Sequence, residues 1–599
     1  MKIYLGNVSI SEYSLDYDEK FLQANTAVGH LRGYIARLTG ETFAEKSKKT
    51  IRLSQGDESL GDDGFLVTLQ GERLTFVGGK RGIIYAVFAF LEKIGCRFFT
   101  PDVETYPQTD VYLSDFTLTC KSPFIFRDIL GNTADERGWC LKHGINSCLW
   151  GKRGFSEAEG GGYNFAGIPA HSLCGDFLLK PYVQSNPEYF SWVGGKRITD
   201  RFGQICMTND NAIDAAAKEA CKVLNDNPTC NIVSVSSGDN TNYCECENCK
   251  KLTEKVGLAT AYFTAINKIA EKIKVKHPNA LVHTFLYQTM GEKLANNFKF
   301  ADNIMIQYPV RACRNHAFND KTCVVNRQLT VFLEKLTATC ANVFTWDYVN
   351  CFKHELFDMP DSFQYLDNLR YCAEIGVKGV FNEGEHRNTE QIDFVSMHEM
   401  KSYLLVKAMN NPYMSKEEYL RHREEFCAAF YGVGYMYILE YLQLLYDCSR
   451  HSHVSYDGIL FQMDDEAVGG FDGDENAKAK PKTFTVGRII DKDKTAYFIQ
   501  TANELLDKAL KGADSVQKAR IEKIRTEVLY YDLFWNMRNI LDNGTAEEKR
   551  VVIAKNTELI QRIISQRLVL TFWGKSRSAQ NEELLQMTSV PPSEWDYKW

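Results

Sequence analysis

The spacing of hydrophobic positions gives the first part of the chain a mixed helix and strand pattern. Short alternating segments, Gly64–Leu69 and Leu74–Val77, predict strands, and the apolar spacing of Ile83–Glu92 predicts a helix packed on a sheet. The pattern changes close to residue 118. We therefore predict an α+β accessory domain over residues 1–118.

Between residues 119 and 412, short apolar segments alternate with longer amphipathic ones. Helical spacing is clearest in Ala259–Val275 and Leu329–Ala338. The segments with strand character are Phe124–Leu130, Ile145–Trp150, Gly167–Leu173, Asn231–Val235, Leu281–Leu286, Ile304–Tyr308, Val343–Trp346 and Val377–Phe381. Strands that alternate with helices in this number predict an α/β fold, a (β/α)8 barrel of the TIM type, with function at the carboxyl ends of its strands.

The remainder of the chain is predicted to be helical. The best helical segments are Lys416–Tyr446, Thr495–Leu510, Ser515–Leu541 and Glu547–Arg567. We predict a helical domain over residues 413–599 that supports the barrel.

Composition narrows the class of protein. The chain has 599 residues, 44% hydrophobic and 25% charged, with a net charge of −7, as expected of an ordinary soluble globular protein. No basic stripe suggests a nucleic-acid partner, and no apolar run suggests a membrane partner. The amino terminus shows no secretory signal, and 18 scattered cysteines suggest reduced thiols. We expect a cytoplasmic protein, or a secreted or periplasmic one if a leader has been removed.

Acidic residues follow several of the predicted strands. Asp239 follows the fourth strand, Asp347 the seventh, and Glu383 and Glu385 the eighth. Glycoside hydrolysis needs one carboxylic acid to protonate the leaving oxygen and a second group to act on the sugar carbon. Glu383 and Asp239 are our first choice for that pair, with Asp347 and Glu385 as further catalytic candidates. Each could instead pair with an Arg or Lys as a structural ion pair.

Other side chains near the strand ends could bind a sugar. Aromatic rings suit the apolar faces of sugar rings, and amide, imidazole and guanidinium groups suit hydroxyls. The predicted substrate-binding residues are Arg127, Asn146, Trp150, His171, Asn240, Tyr287, Tyr308, Trp346 and Tyr348. Each of them alone is more often a packed core residue.

A cluster of cysteines follows Asp239 in the same loop. Cys244, Cys246 and Cys249 offer three soft ligands close together, and Cys206 could complete a tetrahedral zinc site. Reduced thiols or a disulfide are the alternatives. In each case the cluster is expected to fix the loop that carries Asp239. Any zinc is expected to be structural, so no cofactor is required for catalysis.

Several motifs resemble a known family. They are Gly82–Phe88 with Gly95–Phe99, Asn186–Phe190, Gln204–Asn209, Tyr243–Cys246, Trp346–Val349 and Gly376–Phe381. Together they resemble the bacterial proteins of glycoside hydrolase family 163, once listed as a domain of unknown function, with endo-β-N-acetylglucosaminidase activity on complex N-glycans. The amino-terminal part resembles the accessory domain that precedes α-glucuronidase and hexosaminidase barrels.

The resemblance implies a retaining reaction assisted by the acetamide of the substrate. One carboxylic acid would act as the general acid, and a second carboxylate would orient the acetamide. These two roles would fall among Asp239, Asp347, Glu383 and Glu385. The substrate would be an N-acetylglucosamine-containing glycan.

Two other functions fit the same barrel. A glycosidase for uronic acids would need an Arg or Lys for the substrate carboxylate, and Arg311 and Arg314 follow the sixth predicted strand. A noncatalytic glycan-binding protein would use the same pocket without turnover. Serine hydrolases, nucleotide hydrolases and dehydrogenases are excluded, because their motifs do not occur in the proper context.

Overall fold

The computed structural model describes most of the chain. It describes residues 1–131, 133, 136–149, 154–286, 294–295, 297–351, 356, 358–384, 397–449, 453–455, 458–460, 492–568, 584–592 and 595. Three predicted site residues, Trp150, Tyr287 and Glu385, lie outside the described residues.

The first 120 residues contain sheets covered by two helices. The five-stranded sheet has the order Phe116–Cys120, Phe65–Gln70, Arg73–Gly78, Thr50–Gln55, Ser14–Tyr17. A three-stranded sheet joins Val8–Ser9, Ile3–Leu5 and Val111–Leu113, and Arg97–Thr100 pairs with Val103–Thr105. The helices are Leu22–Thr39 and Gly82–Lys93, and the second is buried along most of its length. The boundary at residue 118 stays a prediction.

Eight parallel strands then follow in chain order, which confirms the predicted barrel. They are Phe126–Leu130, Ser147–Cys148, Tyr163–Ala166, Ile232–Ser234, Leu281–Phe285, Ile304–Val310, Val343–Tyr348 and Gly379–Glu383. We number these barrel strands one to eight. The short second strand pairs with the third. The N–H of Asn146, just before the second strand, donates to the carbonyl of Arg127 in the first strand at 3.3 Å, so the barrel is nearly closed.

The third barrel strand lies earlier than the sequence predicts. The strand is Tyr163–Ala166, whereas Gly167–Leu173 was predicted. Gly167 has a φ of 74° and His171 a φ of 51°, which are left-handed conformations that an extended strand does not contain. The predicted segment is therefore the loop that leaves the strand, and it carries His171 to the rim of the barrel.

Helices surround the barrel and continue beyond it. Those between and directly after the strands are Arg137–Lys142, Asp210–Asp226, Glu247–Val256, Leu258–Lys276, Val324–Thr339, Tyr365–Glu374 and His398–Asn410. The later helices are Lys416–Tyr431, Tyr435–Ser449, Lys492–Ala509, Ser515–Asn543 and Ala546–Ser565. Two further hairpins pair Trp192–Val193 with Lys196–Arg197 and His453–Ser455 with Gly458–Leu460.

The later helices pack on the loops of the barrel. The hydroxyl of Tyr419 donates to the carbonyl of Ser362 at 2.5 Å, and the hydroxyl of Tyr531 accepts the N–H of Asp358 at 2.7 Å. The helix predicted over Lys416–Tyr446 is divided at Gly432, whose φ of 68° ends the first helix. Within the described part of the chain, no helix is both long and apolar enough to cross a membrane. The boundary at residue 412 stays a prediction.

Candidate active site

Glu383 projects into the barrel from the end of strand eight. Side chains alternate along a strand, and Phe381 belongs to the hydrophobic cluster that fills the barrel interior, so Glu383 shares its face. Asn382 faces outward, where its amide contacts Sδ of Met409 at 3.4 Å. The Glu383 side chain is 6% exposed, and its Oε2 accepts a hydrogen bond from Nε1–H of Trp346.

A row of aromatic rings extends from Glu383 across the interior. The ring centroids of Phe381 and Trp346 are 4.6 Å apart, and those of Trp346 and Phe285 are 5.3 Å apart. Phe285 in turn lies 5.4 Å from the imidazole of His171. Strands five, seven and eight therefore supply an apolar floor, and the loop after strand three supplies its far edge.

His171 connects this floor to the loop that carries Asp239. Its Nδ1 lies 2.9 Å from the carbonyl oxygen of Ser237, an acceptor, so Nδ1 carries the proton and donates. Asp239 follows two residues later and is exposed at the rim. Burial, together with a smaller effect of the Asp239 charge, raises the pKa of Tyr243 to about 12. The structure thus places Glu383 in the interior and Asp239 on the adjoining rim.

Gln204 holds the turn that contains Asp239. Its Oε1 accepts the N–H of Gly238 at 3.1 Å. Its Nε2 lies 3.2 Å from the carbonyl of Gly238, and 3.3 Å and 3.1 Å from the carbonyl and Oδ1 of Asn240. Gln204 is fully buried, so these bonds form away from water. Hydrophobic patterning did not identify this residue, although it lies in one of the motifs that carry the family resemblance.

A polar layer lies inside the barrel beside the aromatic floor. Nδ1 of His283, in strand five, lies 3.1 Å from Oγ of Ser234, and its Nε2 lies 2.9 Å from Oε1 of Gln307. Burial lowers the pKa of His283 to about 3, so the imidazole is neutral. Asp128 of strand one is also buried, and its carboxylate accepts the N–H of Leu149 at 2.7 Å. The sequence analysis did not identify these residues. The only sequence signal that they face the interior is their spacing of two residues from apolar interior neighbours on the same strand.

Asp347 lies on the opposite face of strand seven from Trp346. Phe344 and Trp346 fill the interior, and Tyr348 packs on the same cluster, so Asp347 is directed outward. Its Oδ1 is 2.5 Å from Nη1 of Arg314, and both side chains are buried. The structure does not bring Asp347 together with Glu383, and it pairs Arg314 with a carboxylate of the protein itself.

Arg127 and Asn146 lie where the barrel meets the amino-terminal part. Nη2 of Arg127 is 3.1 Å from Oδ2 of Asp63, and Nδ2 of Asn146 donates to the same oxygen at 2.7 Å. Burial alone would raise the pKa of Asp63, but the charges of Arg127 and Arg81 together lower it. These contacts are structural, and they direct both predicted substrate-binding side chains away from the interior floor.

The remaining predicted sugar-binding residues divide between two environments. Tyr348 packs against the interior cluster, and its Cα is paired with that of Glu383. Asn240 lies in the Asp239 turn, where its Oδ1 also accepts the N–H of Asn242 at 3.0 Å. Tyr308 faces outward and packs on Phe332 of a surrounding helix, with the two rings tilted and their centroids 4.9 Å apart. The floor therefore gathers Trp346, Tyr348 and His171 but not Tyr308.

The four predicted cysteines come together at the far end of the Asp239 loop. Sγ of Cys206 is 3.7 Å from each of the Sγ atoms of Cys244, Cys246 and Cys249. All four sulfur atoms lie within 4.8 Å of one another. Hydrogen bonds from Cys244 and Cys249 lower the pKa of Cys206, and bonds with Cys206 and Cys244 raise the pKa of Cys249. Such a group of thiols could hold a metal ion.

Comparison with protein families identifies the chain at the level of a family. Residues 98–443, more than half of the chain, match the model of a domain of unknown function, DUF4838. The chain belongs to the DUF4838 family. Glu383, Trp346, Asp239 and the cysteine cluster all lie within the DUF4838 region. No curated protein matches the sequence.

Solved structures of a family 89 glycoside hydrolase share the fold of this DUF4838 protein. It is similar to a family 89 glycoside hydrolase from Clostridium perfringens in complex with PUGNAc, with 14% identity and a TM-score of 0.52 over 95% of this chain and 71% of that one. A second structure of the Clostridium perfringens family 89 enzyme, in complex with GlcNAc-α-1,4-galactose, has the same identity and TM-score over 95% of this chain and 70% of that one. A family 20 exo-β-N-acetylglucosaminidase from Vibrio harveyi has 10% identity and a TM-score of 0.41 over 73% and 75%.

Proposed function

We propose that this protein is a glycoside hydrolase that cleaves an N-acetylglucosamine-containing glycan at the barrel rim. The observation that carries the proposal is the position of Glu383. Its carboxylate is nearly buried at the carboxyl end of strand eight and accepts a hydrogen bond from the indole of Trp346. Active sites of TIM barrels lie at this end of the strands.

The floor beside Glu383 suits a sugar ring. The apolar faces of a pyranose pack well on aromatic side chains, and Trp346, Phe285 and Phe381 form a continuous set of rings there. Tyr348 and His171 add polar groups at the edges of the floor. A sugar on this floor would have Glu383 on one side and the Asp239 loop on the other.

We assign the two acidic roles to Glu383 and Asp239. In the proposed reaction the acetamide oxygen of the substrate attacks its own anomeric carbon, while one carboxylic acid protonates the leaving oxygen. The second carboxylate orients the acetamide N–H and takes up its developing positive charge. Water then opens the cyclic intermediate, with overall retention of configuration.

The similar structures and the sequence resemblance support the choice of sugar. The Clostridium perfringens family 89 enzyme has been crystallised with GlcNAc-α-1,4-galactose, described there as its substrate. The motifs that resemble glycoside hydrolase family 163 extend the proposal to endo-β-N-acetylglucosaminidase activity on N-glycans. For a uronic acid substrate, one of the two arginines after strand six, Arg314, is already paired with Asp347.

A substrate panel tests the proposal. Wild-type protein is incubated with aryl glycosides of N-acetylglucosamine, glucose and glucuronic acid and with intact N-glycans, and new reducing ends and their anomeric form are recorded. We expect cleavage of the N-acetylglucosamine-containing substrates with retained configuration. Cleavage of glucuronides alone, or glycan binding without any new reducing end, would contradict the proposal.

A cyclic thiazoline derived from N-acetylglucosamine tests the acetamide mechanism separately. It imitates the oxazoline-like intermediate that acetamide attack produces, and transition-state-like compounds bind far more tightly than substrates. We expect the thiazoline to inhibit competitively, with an inhibition constant well below the KM of the substrate. If substrates without the acetamide are hydrolysed as fast as those that carry it, substrate assistance is excluded.

A further inference from the structure

We propose that Cys206, Cys244, Cys246 and Cys249 bind one structural zinc ion, which fastens one end of the loop that carries Asp239 to the segment of Cys206. This inference is independent of the proposed hydrolase activity. It follows from the arrangement of four sulfur atoms within 4.8 Å of one another.

The distances between the sulfur atoms fit a tetrahedral metal ion. A zinc–sulfur bond of about 2.3 Å in a tetrahedral site places neighbouring sulfur atoms about 3.8 Å apart. Sγ of Cys206 lies 3.7 Å from the other three sulfur atoms. A disulfide needs about 2.05 Å between its sulfur atoms, so the cluster is not arranged as a pair of disulfides.

The surroundings of the cluster suit thiolates. The N–H of Trp192 points at Sγ of Cys244 at 3.3 Å, and Nη1 of Arg197 lies 3.8 Å from the same atom. Oγ1 of Thr208 is 3.1 Å from Sγ of Cys249. Four thiolates around a divalent zinc carry a net charge of −2, so donors and a guanidinium group at this distance stabilise the complex.

The local backbone presents the ligands on two segments. The helix Glu247–Val256 begins directly after Cys246, and Cys249 lies in its first turn, where the helix dipole favours anionic sulfur. Cys206 comes from the segment that pairs with Phe190 at Ile205. A metal ion would therefore bind the end of the Asp239 loop to a different part of the chain.

This connection has a consequence for Asp239. The segment that supplies Cys206 also supplies Gln204, which holds Gly238 and Asn240 on either side of Asp239. The zinc would fix one end of the loop at residues 244–249, and Gln204 would fix the turn itself. We infer that metal binding orders the loop at residues 236–249.

A second group of potential ligands exists in the described part of the chain. Cys313, His316 and Cys323 lie within 4.8 Å of one another. This group has three members of mixed type, whereas the first has four sulfur atoms. Zinc bound at this second group would raise the zinc content above one per chain and would add a nitrogen neighbour from His316.

Metal analysis of the full-length protein tests the proposal. Protein purified without chelators is examined by inductively coupled plasma mass spectrometry and by X-ray absorption at the zinc edge. We expect one zinc per chain with four sulfur neighbours at about 2.3 Å. Absence of zinc, or a single zinc per chain that has nitrogen among its neighbours, overturns the proposal.

Variants and hydrogen exchange complete the test. Cys246→Ser should lose the zinc, whereas Cys230→Ser, outside the cluster, should keep it; the reverse pattern contradicts the assignment. Extraction of zinc from the wild type should increase amide exchange within residues 236–249 more than elsewhere, and unchanged exchange there contradicts the ordering role. The wild-type measurements decide the question even if Cys246→Ser fails to fold.

Discussion

The indole Nε1–H of Trp346 donates a hydrogen bond to Oε2 of Glu383 across the last two barrel strands. A hydrogen bond to a charged group contributes about 1.5–3 kcal/mol. If the bond orients a reacting carboxylate, its loss lowers the reaction rate by about tenfold to a hundredfold. Trp346→Phe keeps an aromatic ring on the floor but removes the donor.

We expect Trp346→Phe to lower kcat by about tenfold to a hundredfold, with a smaller change in KM. Steady-state kinetics on a cleaved N-acetylglucosamine substrate measure this effect. Trp192→Phe, a change at a partly exposed indole of the hairpin, serves as the control. An unchanged kcat in Trp346→Phe would show that this bond does not position the reacting group.

Gln204 is predicted to act on the reaction through Asp239. Gln204→Ala removes the bonds to Gly238 and Asn240, so kcat should fall, by about tenfold if one to two kcal/mol of positioning is lost. In the background of Asp239→Asn, the same change should have little further effect, because coupled residues give non-additive losses. Additive losses in this double-mutant cycle would place Gln204 outside the role we give it.

Asp347 is predicted to stabilise the fold rather than to take part in the reaction. Removal of one partner of a buried ion pair leaves an uncompensated charge and costs about 3–5 kcal/mol. Asp347→Ala removes the ion-pair partner of Arg314 and leaves it only the charge of Asp361, so it should lower the thermal midpoint. Activity per folded molecule should stay close to that of the wild type. A stable but inactive Asp347→Ala variant would show that Asp347 takes part in the reaction.

The buried imidazole of His283 is predicted to make stability depend on pH. Its pKa is about 3 in the folded protein, whereas an unfolded histidine has a pKa of about 6.5. The unfolded chain therefore binds more protons between these values, and the free energy of unfolding falls as pH decreases from about 6.5, by about 1.4 kcal/mol per pH unit for this group.

His283→Gln removes this dependence and keeps an amide for Gln307. Thermal midpoints between about pH 6.5 and pH 5 should therefore fall less steeply in the variant than in the wild type. His277→Gln, at a half-buried position after a surface helix, is the control. Equal slopes for wild type and His283→Gln would contradict a neutral, buried imidazole at this position.

Much of the barrel could be predicted from the sequence because its strands are short, mainly apolar segments that alternate with amphipathic helices. Strands four to eight lie within a few residues of their predicted positions. The prediction of the third strand is wrong, because Gly167 and His171 within the predicted segment have left-handed φ values that an extended strand does not contain. The division of the helix at Gly432 has the same cause, a positive φ at a glycine.

The direction of side chains was harder to predict than the position of strands. Asp347 and Glu383 both follow apolar runs, yet one lies on the outer face and the other on the inner face. A shift of one residue in the alternation reverses the face, so the register decides between an ion pair and a site residue. The partners of Arg127 and Asp347 come from other parts of the chain, and no local pattern indicates them.

The direct test of the account is the activity of Glu383→Gln. The amide has nearly the shape of the carboxylate and can still accept the indole N–H, but it neither gives up a proton nor carries a charge. We predict that release of reducing ends from an N-acetylglucosamine-containing glycan falls by at least about a hundredfold, with little change in the thermal midpoint. Full activity in Glu383→Gln would contradict the central role of this residue.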